Sequence, residues 1–221
     1  MANPRTFYTS DPHIGHGLVA RERGFVFADR DPVFDSRTET YRYEPDTESH
    51  DAFLADMWDS SVRPEDTVFV LGDISISGKE SALQWFDARP GTLHLIAGNH
   101  DPVHPAHRDS FKVQPRWLQT FASVQPFLRR KLEGHYFLLS HFPYAGTGAE
   151  GHGVEDRYLQ YRLIDEGMAL LHGHTHGEEQ VHFSDAGTPQ LHVGLDAWDY
   201  NLVSSDTVAG FLHNPKSTFF K

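Results

Sequence analysis

The stretch LLHGHTHG, residues 170–177, sets three histidines, His172, His174 and His176, at the end of the apolar run Met168-Ala169-Leu170-Leu171. In a strand, residues two apart share a face. His174 and His176 are therefore placed to converge on one point, with His172 set further back, where the apolar run ends. Two readings compete: a polar turn rich in histidine, or a pair of metal ligands presented by a strand end. The rest of the chain decides between them.

Working outward, five more apolar runs read as strands: RTFYTS (5–10), DTVFVLG (66–72), GTLHLIAG (91–98), GHYFLLS (134–140) and QLHVG (190–194), beside GMALLHG (167–173) itself. Helices are predicted between them. DAFLADMWDSSV (51–62) spaces Phe53, Leu54, Met57 and Trp58 at helical intervals, and ESALQWFDA (80–88) sets Leu83, Trp85 and Phe86 close to one face. PRWLQTFASV (115–124) and SSDTVAGFL (204–212) are further helix candidates. Strands alternating with helices indicate a layered α/β fold. The polar, turn-rich stretches 21–50 and 144–157 read as surface excursions. No repeat or linker divides the chain, so residues 1–221 are expected to form one domain.

Composition bounds the chemistry. At 221 residues, with 38% hydrophobic and 13% aromatic, the chain has enough apolar surface for a packed core. The absence of cysteine removes disulfides and thiolate metal sites. Any metal must then use nitrogen and oxygen ligands, which suit manganese, zinc, iron or magnesium better than soft ions. Nineteen basic against 31 acidic residues leave a net charge of −12, which opposes a broad nucleic-acid footprint. A phosphate-bearing substrate would need a local positive centre. The opening MANPRTFYTS has no apolar signal core, and no run approaches the ~20 residues of a membrane helix. A soluble, cytoplasmic protein without a membrane partner is expected.

The ends of five runs share one pattern. They read Ser10-Asp11-Pro12-His13, Gly72-Asp73, Gly98-Asn99-His100-Asp101, Ser140-His141 and Gly173-His174-Thr175-His176. Each time a small residue precedes a side chain able to bind metal. Open α/β sheets carry functional groups at the carboxyl ends of their strands, and small residues let such turns approach closely. In this order the series resembles the calcineurin-like metallophosphoesterases, whose motifs run D-x-H, GD, GNH with D or E, H and GHxH. The resemblance spans residues 7–176, and FYTSDPHIGH is similar to the short bacterial and phage-encoded members. The serine/threonine phosphatase branch has an arginine-containing motif where this chain reads GDISISG.

The resemblance implies a fold of two stacked mixed sheets flanked by helices, an α/β/β/α sandwich. It assigns Asp11, His13 and His176 to one metal, and Asn99, His141 and His174 to a second, with Asp73 bridging. Two divalent ions are implied, Mn²⁺ foremost, with iron, zinc or nickel also accepted by such ligands. Ions roughly 3.5–4 Å apart would be addressed by adjacent same-face residues such as His174 and His176. The implied reaction is in-line attack of a metal-bridging hydroxide on phosphorus. His100 would protonate the leaving oxygen, and Asp101 would orient His100 through a hydrogen bond. The favoured substrate is a small phosphodiester or nucleotide, such as a 2′,3′-cyclic nucleotide. A nuclease acting on DNA or RNA, and a non-catalytic metal-binding scaffold, are the alternatives. Of the eleven histidines outside the motifs, His16 is the one placed to face substrate. The others are expected at the surface or in packing, Arg157 and Arg162 as solvated charges, and Tyr144 as a core cap or a base-stacking ring.

Overall fold

Neighbouring residues of a strand point to opposite faces, so a run apolar at every position needs a packed layer on both sides. The first such run is β1 (Thr6–Thr9): Phe7 lies in one hydrophobic cluster and Tyr8 in another. In the computed structural model, which describes residues 3–145 and 157–217, α1 (Gly17–Glu22), β2 (Val33–Asp35), β3 (Thr40–Arg42) and α2 (Thr47–Ser61) follow. Next come β4 (Thr67–Val70), α3 (Lys79–Asp87), β5 (Thr92–Ile96), α4 (Ser110–Thr120) and β6 (Ser123–Gln125). The chain then crosses to β7 (Phe127–Leu132), β8 (His135–Ser140), β9 (Ala169–His172), β10 (Val181–Phe183) and β11 (Pro189–His192). It returns through β12 (Val203–Ser204) to α5 (Ser205–His213).

The first sheet has the order β12-β1-β4-β5-β6 and is parallel except where β12 meets β1. The second has the order β10-β11-β9-β8-β7, parallel in the middle and antiparallel at both edges. Phe7, Val68, Val70, Leu93 and Leu95 turn outward onto Leu54 and Trp58 of α2, Leu83 and Phe86 of α3, and Trp117 of α4. Tyr8, Phe69, Leu71 and Ile96 turn inward, where they meet Phe137, Leu139, Leu171 and Leu191 of the second sheet. Val208 and Phe211 bring α5 into the same inner cluster. The fold is thus the expected pair of stacked mixed sheets with flanking helices.

All six apolar runs are strands, and the four predicted helices form with shifted ends. Helix α2 starts before residue 51 because Asp46 caps it, accepting the Ser49 N–H at 2.9 Å. Helix α4 lies upstream of the predicted 115–124, with Pro115 inside it, and residues 123–125 join the sheet beside β5 instead. Strand β7, FLRRKL, is charged and half exposed, so its pattern alone does not announce it. The excursion at 21–50 contains the exposed β2–β3 hairpin. Residues 146–156 of the second predicted excursion, with His152, lie outside the described residues. No helix among the described residues is long and apolar enough to cross a membrane.

Candidate metal centre

The five marked turns do meet. The Asp11 N–H donates to Gly72 O (3.1 Å), the His13 N–H to Asp73 O (3.2 Å), and the Gly173 N–H to His141 O (3.0 Å). Such contact leaves no room for Cβ atoms. A methyl group on Gly72 would overlap the Gly98 backbone, one on Gly98 the Asp73 side chain, and one on Gly173 the side chains of Ser10 and Asp11. The turns are also sharp. Asp11, His13, Asp73, His174 and His176 all have positive φ, between 50° and 75°. That region is costly for residues with a Cβ, and such outliers cluster at functional sites.

Two sets of ligand-type atoms result, each within 4.8 Å of one another: Asp11, His13 and His176, and Asp73, His141 and His174. In the first, His13 Nε2 and His176 Nε2 are 3.1 Å apart, and Asp11 Oδ1 lies 4.0 and 3.9 Å from them. Two nitrogens on one tetrahedral ion, each at ~2.0–2.1 Å, would be about 3.3 Å apart. Asp11 Oδ2 accepts the His174 N–H at 2.9 Å, while its buried Oδ1 has no hydrogen-bond partner. In the second set, His141 Nε2 stands 3.4 Å from Asp73 Oδ2 and 3.1 Å from Asn99 Oδ1. His141 Nδ1 donates to Leu71 O (2.7 Å) and His176 Nδ1 to Asp196 (2.8 Å). In the neutral imidazoles both Nε2 lone pairs are thereby left bare, as a ligand requires.

Crowding of charge shows in the proton affinities. Burial drives His13 down to about 3 and keeps it neutral. Burial also opposes the charging of His141, but Asp73 and Asp11 outweigh it and push that ring up to about 9. Burial and the Asp73 charge raise Asp101 to about 7. The two carboxylates that draw a proton onto His141 would equally favour a divalent cation in its place. The donor set, the orphaned carboxylate oxygen and the spacing fit a binuclear divalent centre.

The calcineurin-like phosphoesterase family model matches residues 4–215. The chain belongs to the calcineurin-like phosphoesterases. Gene 66 protein of Mycobacterium phage D29 is 40% identical over 210 residues, covering 91% of this chain and 92% of its own. Gene 66 protein of Mycobacterium phage L5 is 41% identical over 217 residues, at 92% and 91% coverage. The structure of a protein of unknown function from Aquifex aeolicus covers 95% of this chain and 100% of its own, with a TM-score of 0.59 and 20% identity, a likeness of fold. Membership and the two ligand sets together make this chain a metal-dependent phosphoric ester hydrolase.

Around this phosphoesterase's centre, two expectations change. Asp101 does not hold His100. Its oxygens accept the backbone N–H groups of Asp73 (3.0 Å), Ile74 (3.1 Å) and Gly98 (2.8 Å), knitting two ligand turns together. The His100 ring, 40% exposed, points to the open side, with Nε2 4.0 Å from Asp73 Oδ2. Its turn is pinned instead by Lys79, whose Nζ donates to His100 O (2.7 Å). Arg162 is buried rather than solvated, lying over Phe142 and donating to Arg157 O (2.9 Å). Tyr144 is core, with its hydroxyl donating to Met168 O (2.8 Å).

Three residues outside the motifs also brace the centre: Arg23 and Asp196, which carried no expectation, and His107, expected only at the surface or in packing. Arg23 grips Asp196 through two hydrogen bonds (2.7 and 2.9 Å) and also donates to the carbonyls of Asp11 (2.8 Å) and Pro12 (3.2 Å). His107 Nε2 donates to Asn99 O (2.8 Å). Asp196 carried a signal: the sixth run, QLHVG, also ends in glycine and is followed two residues on by this carboxylate.

Proposed function

We propose that this phosphoesterase hydrolyses phosphodiester bonds in small nucleotides, 2′,3′-cyclic nucleotides foremost, and that its catalytic ions are Mn²⁺. The observation that carries the reading is the cleft over both ligand sets. Its volume, about 770 Å³, suits a small-molecule ligand. Leu18, Val19 and Ile76 give it an apolar wall suited to a base and sugar, while Glu22, Glu178 and Asp199 line it with negative charge. Arg23 and Arg157 line the same cleft, but the acidic side chains outnumber them, a balance that supports a small substrate over a long polyanion.

Asp11, His13 and His176 would hold one ion, and Asn99, His141 and His174 the other, with Asp73 between them. Bound there, divalent ions supply Lewis acidity and lower the pKa of water. His100 stands at the cleft side of Asp73 and is our candidate proton donor to the leaving oxygen. Burial holds it below the ordinary histidine range, and a bound phosphate anion would oppose that shift, so the ring gains its proton with substrate. His16, whose ring centroid lies 5.7 Å from that of His13, lines the same cleft and is our candidate for contact with the substrate's phosphate.

The test is turnover of bis-p-nitrophenyl phosphate beside p-nitrophenyl phosphate and a 2′,3′-cyclic nucleotide, using chelated protein with and without Mn²⁺. Diester turnover restored by Mn²⁺ is expected. His100→Ala should lose about 10²–10⁴-fold on the alkoxide-leaving cyclic nucleotide and far less on the nitrophenyl diester. Monoester turnover exceeding diester turnover would sink the substrate reading, and equal losses on both leaving groups would sink the acid role.

A further inference from the structure

Behind the centre, one histidine outside the ligand turns stands fully buried: His50, on the first turn of α2. Both its nitrogens are in use. Nε2 lies 3.1 Å from Arg23 Nη1, and Nδ1 lies 2.9 Å from Asp51 Oδ1. A guanidinium only donates and stays charged, so Nε2 accepts. The proton then sits on Nδ1, which donates to Asp51. Phe25 stands edge-on to the His50 ring at 5.2 Å, and the Tyr200 ring lies 5.8 Å from the Arg23 guanidinium.

Arg23 has five N–H groups to place, and each has an acceptor. Two hold the Asp196 carboxylate, two hold the carbonyls of Asp11 and Pro12, and the fifth holds His50. With the side chain only 3% exposed, an N–H deprived of its acceptor would be left buried and unpaired, a costly state. Asp51 reaches the same ligand turn from the other end, where its oxygens accept the Gly15 N–H at 2.9 and 3.1 Å. His13 lies between these anchor points. At the far end Asp196 accepts from His176 Nδ1. The row Asp51, His50, Arg23 and Asp196 thus braces the carriers of Asp11, His13 and His176, the whole first ligand set. The second set is braced by other groups: His141 donates to Leu71 O, and Asn99 O accepts from His107.

We propose that His50 is a positioning residue for the first of the two ions. By filling the fifth place on Arg23 and donating to Asp51, it fixes the guanidinium that holds Asp196 against His176 and the carbonyls of Asp11 and Pro12. An apolar side chain of similar size would fill the space and do neither. The inference rests on the two-ion reading of the centre.

The experiment titrates Mn²⁺ into the chelated full chain and follows both binding steps by calorimetry. The step that His176→Ala removes belongs to the first ion. His50→Leu should weaken that step about 10–100-fold and leave the other unchanged. His50→Gln, whose amide oxygen can still accept from Arg23, should recover most of the loss. Should His50→Leu fail to fold, His50→Asn, too short to reach Arg23 but able to donate to Asp51, should show the same selective weakening. Nitrogen NMR of the metal-free wild type should find His50 protonated at Nδ1 and bare at Nε2, a signature that a purely space-filling ring need not have. With two ions bound to the wild type, the inference is overturned by equal weakening of both steps or of neither, by His50→Gln losing as much as His50→Leu, or by a proton on Nε2. A wild type that binds fewer than two ions would overturn the reading of the centre, and this inference with it.

Discussion

Asp196 touches no substrate in the proposed scheme, yet it decides which nitrogen of His176 faces an ion. With Arg23 holding both its oxygens, the carboxylate accepts from His176 Nδ1 and leaves Nε2 bare. Loss of such an outer partner typically costs 10–100-fold in metal affinity or activity. Asp196→Asn is therefore expected to raise the Mn²⁺ concentration for half-activation about 10–100-fold, with turnover recovered at saturating Mn²⁺. An unchanged half-activation point would remove Asp196 from this role. Proton affinities carry a second prediction. Above pH 7 the buried neutral histidines, such as His13 and His104, no longer titrate in either state. His141, ordinarily near 6.5 and about 9 in the folded metal-free chain, binds its proton more tightly folded than unfolded. Its stabilising contribution is complete below the ordinary value and is lost as pH rises through the folded one. Metal-free protein should melt at falling temperature from pH 7 to 9.5, while bound metal, which replaces the proton, should abolish the fall. A flat melting profile for the chelated protein would refute this. At this scale the sequence was legible in which turns meet, because each is marked by a small residue before a side chain of metal-ligand type. It was not legible at Asp101, because three backbone donors from other turns claim its carboxylate. Nor was it legible at Arg162, whose guanidinium lies over the Phe142 ring and donates to Pro143 O, contacts made by a segment distant in sequence.

Among the elements, the strand ends are as demanding as the strands. Gly98 closes β5 against the Asp73 turn after β4, and a Cβ there would collide with Asp73 Oδ1 and the Asp73 backbone nitrogen. Neither can retreat: Oδ1 accepts the His100 N–H, and the Asp73 N–H donates to Asp101. Overpacking typically costs 1–3 kcal/mol, and with rigid backbone as the obstacle about 3 kcal/mol is expected for Gly98→Ala. Denaturant unfolding of the metal-free chain checks that figure, and a loss under 1 kcal/mol would show the turns to be looser than drawn. The elements legible in advance were those buried on both faces or striped at helical intervals, since water exclusion writes itself into composition. Strand β7 escaped because it is an edge strand with one face in water and needs little apolar sequence, and β12 because it is only two residues long. Helix α4 was misplaced because Pro115 reads as a first-turn residue, yet it sits inside a helix begun at Ser110.

Across the whole molecule, a charge of −12 surrounds a centre that must attract anions. Raising monovalent salt from about 0.01 to 0.15 M shortens the screening length from about 30 to 8 Å, which weakens the repulsion of the acidic surface more than the short-range pull of the ions. The KM for an anionic diester should therefore fall or hold steady over that range. A several-fold rise would mean that cations govern the approach, and would favour a nucleic-acid substrate. The two ligand sets also draw on both sheets: Asp11, His13 and Asp73 follow strands of the first, and His141, His174 and His176 follow strands of the second. A ribosome extends the chain from its N-terminus, so neither set exists in full until His174 and His176 have emerged. A nascent chain stalled anywhere earlier holds half-sites alone. Each complete set of ligand-type atoms thus requires one sheet to be docked on the other, and a product truncated before His174 lacks a member of both sets.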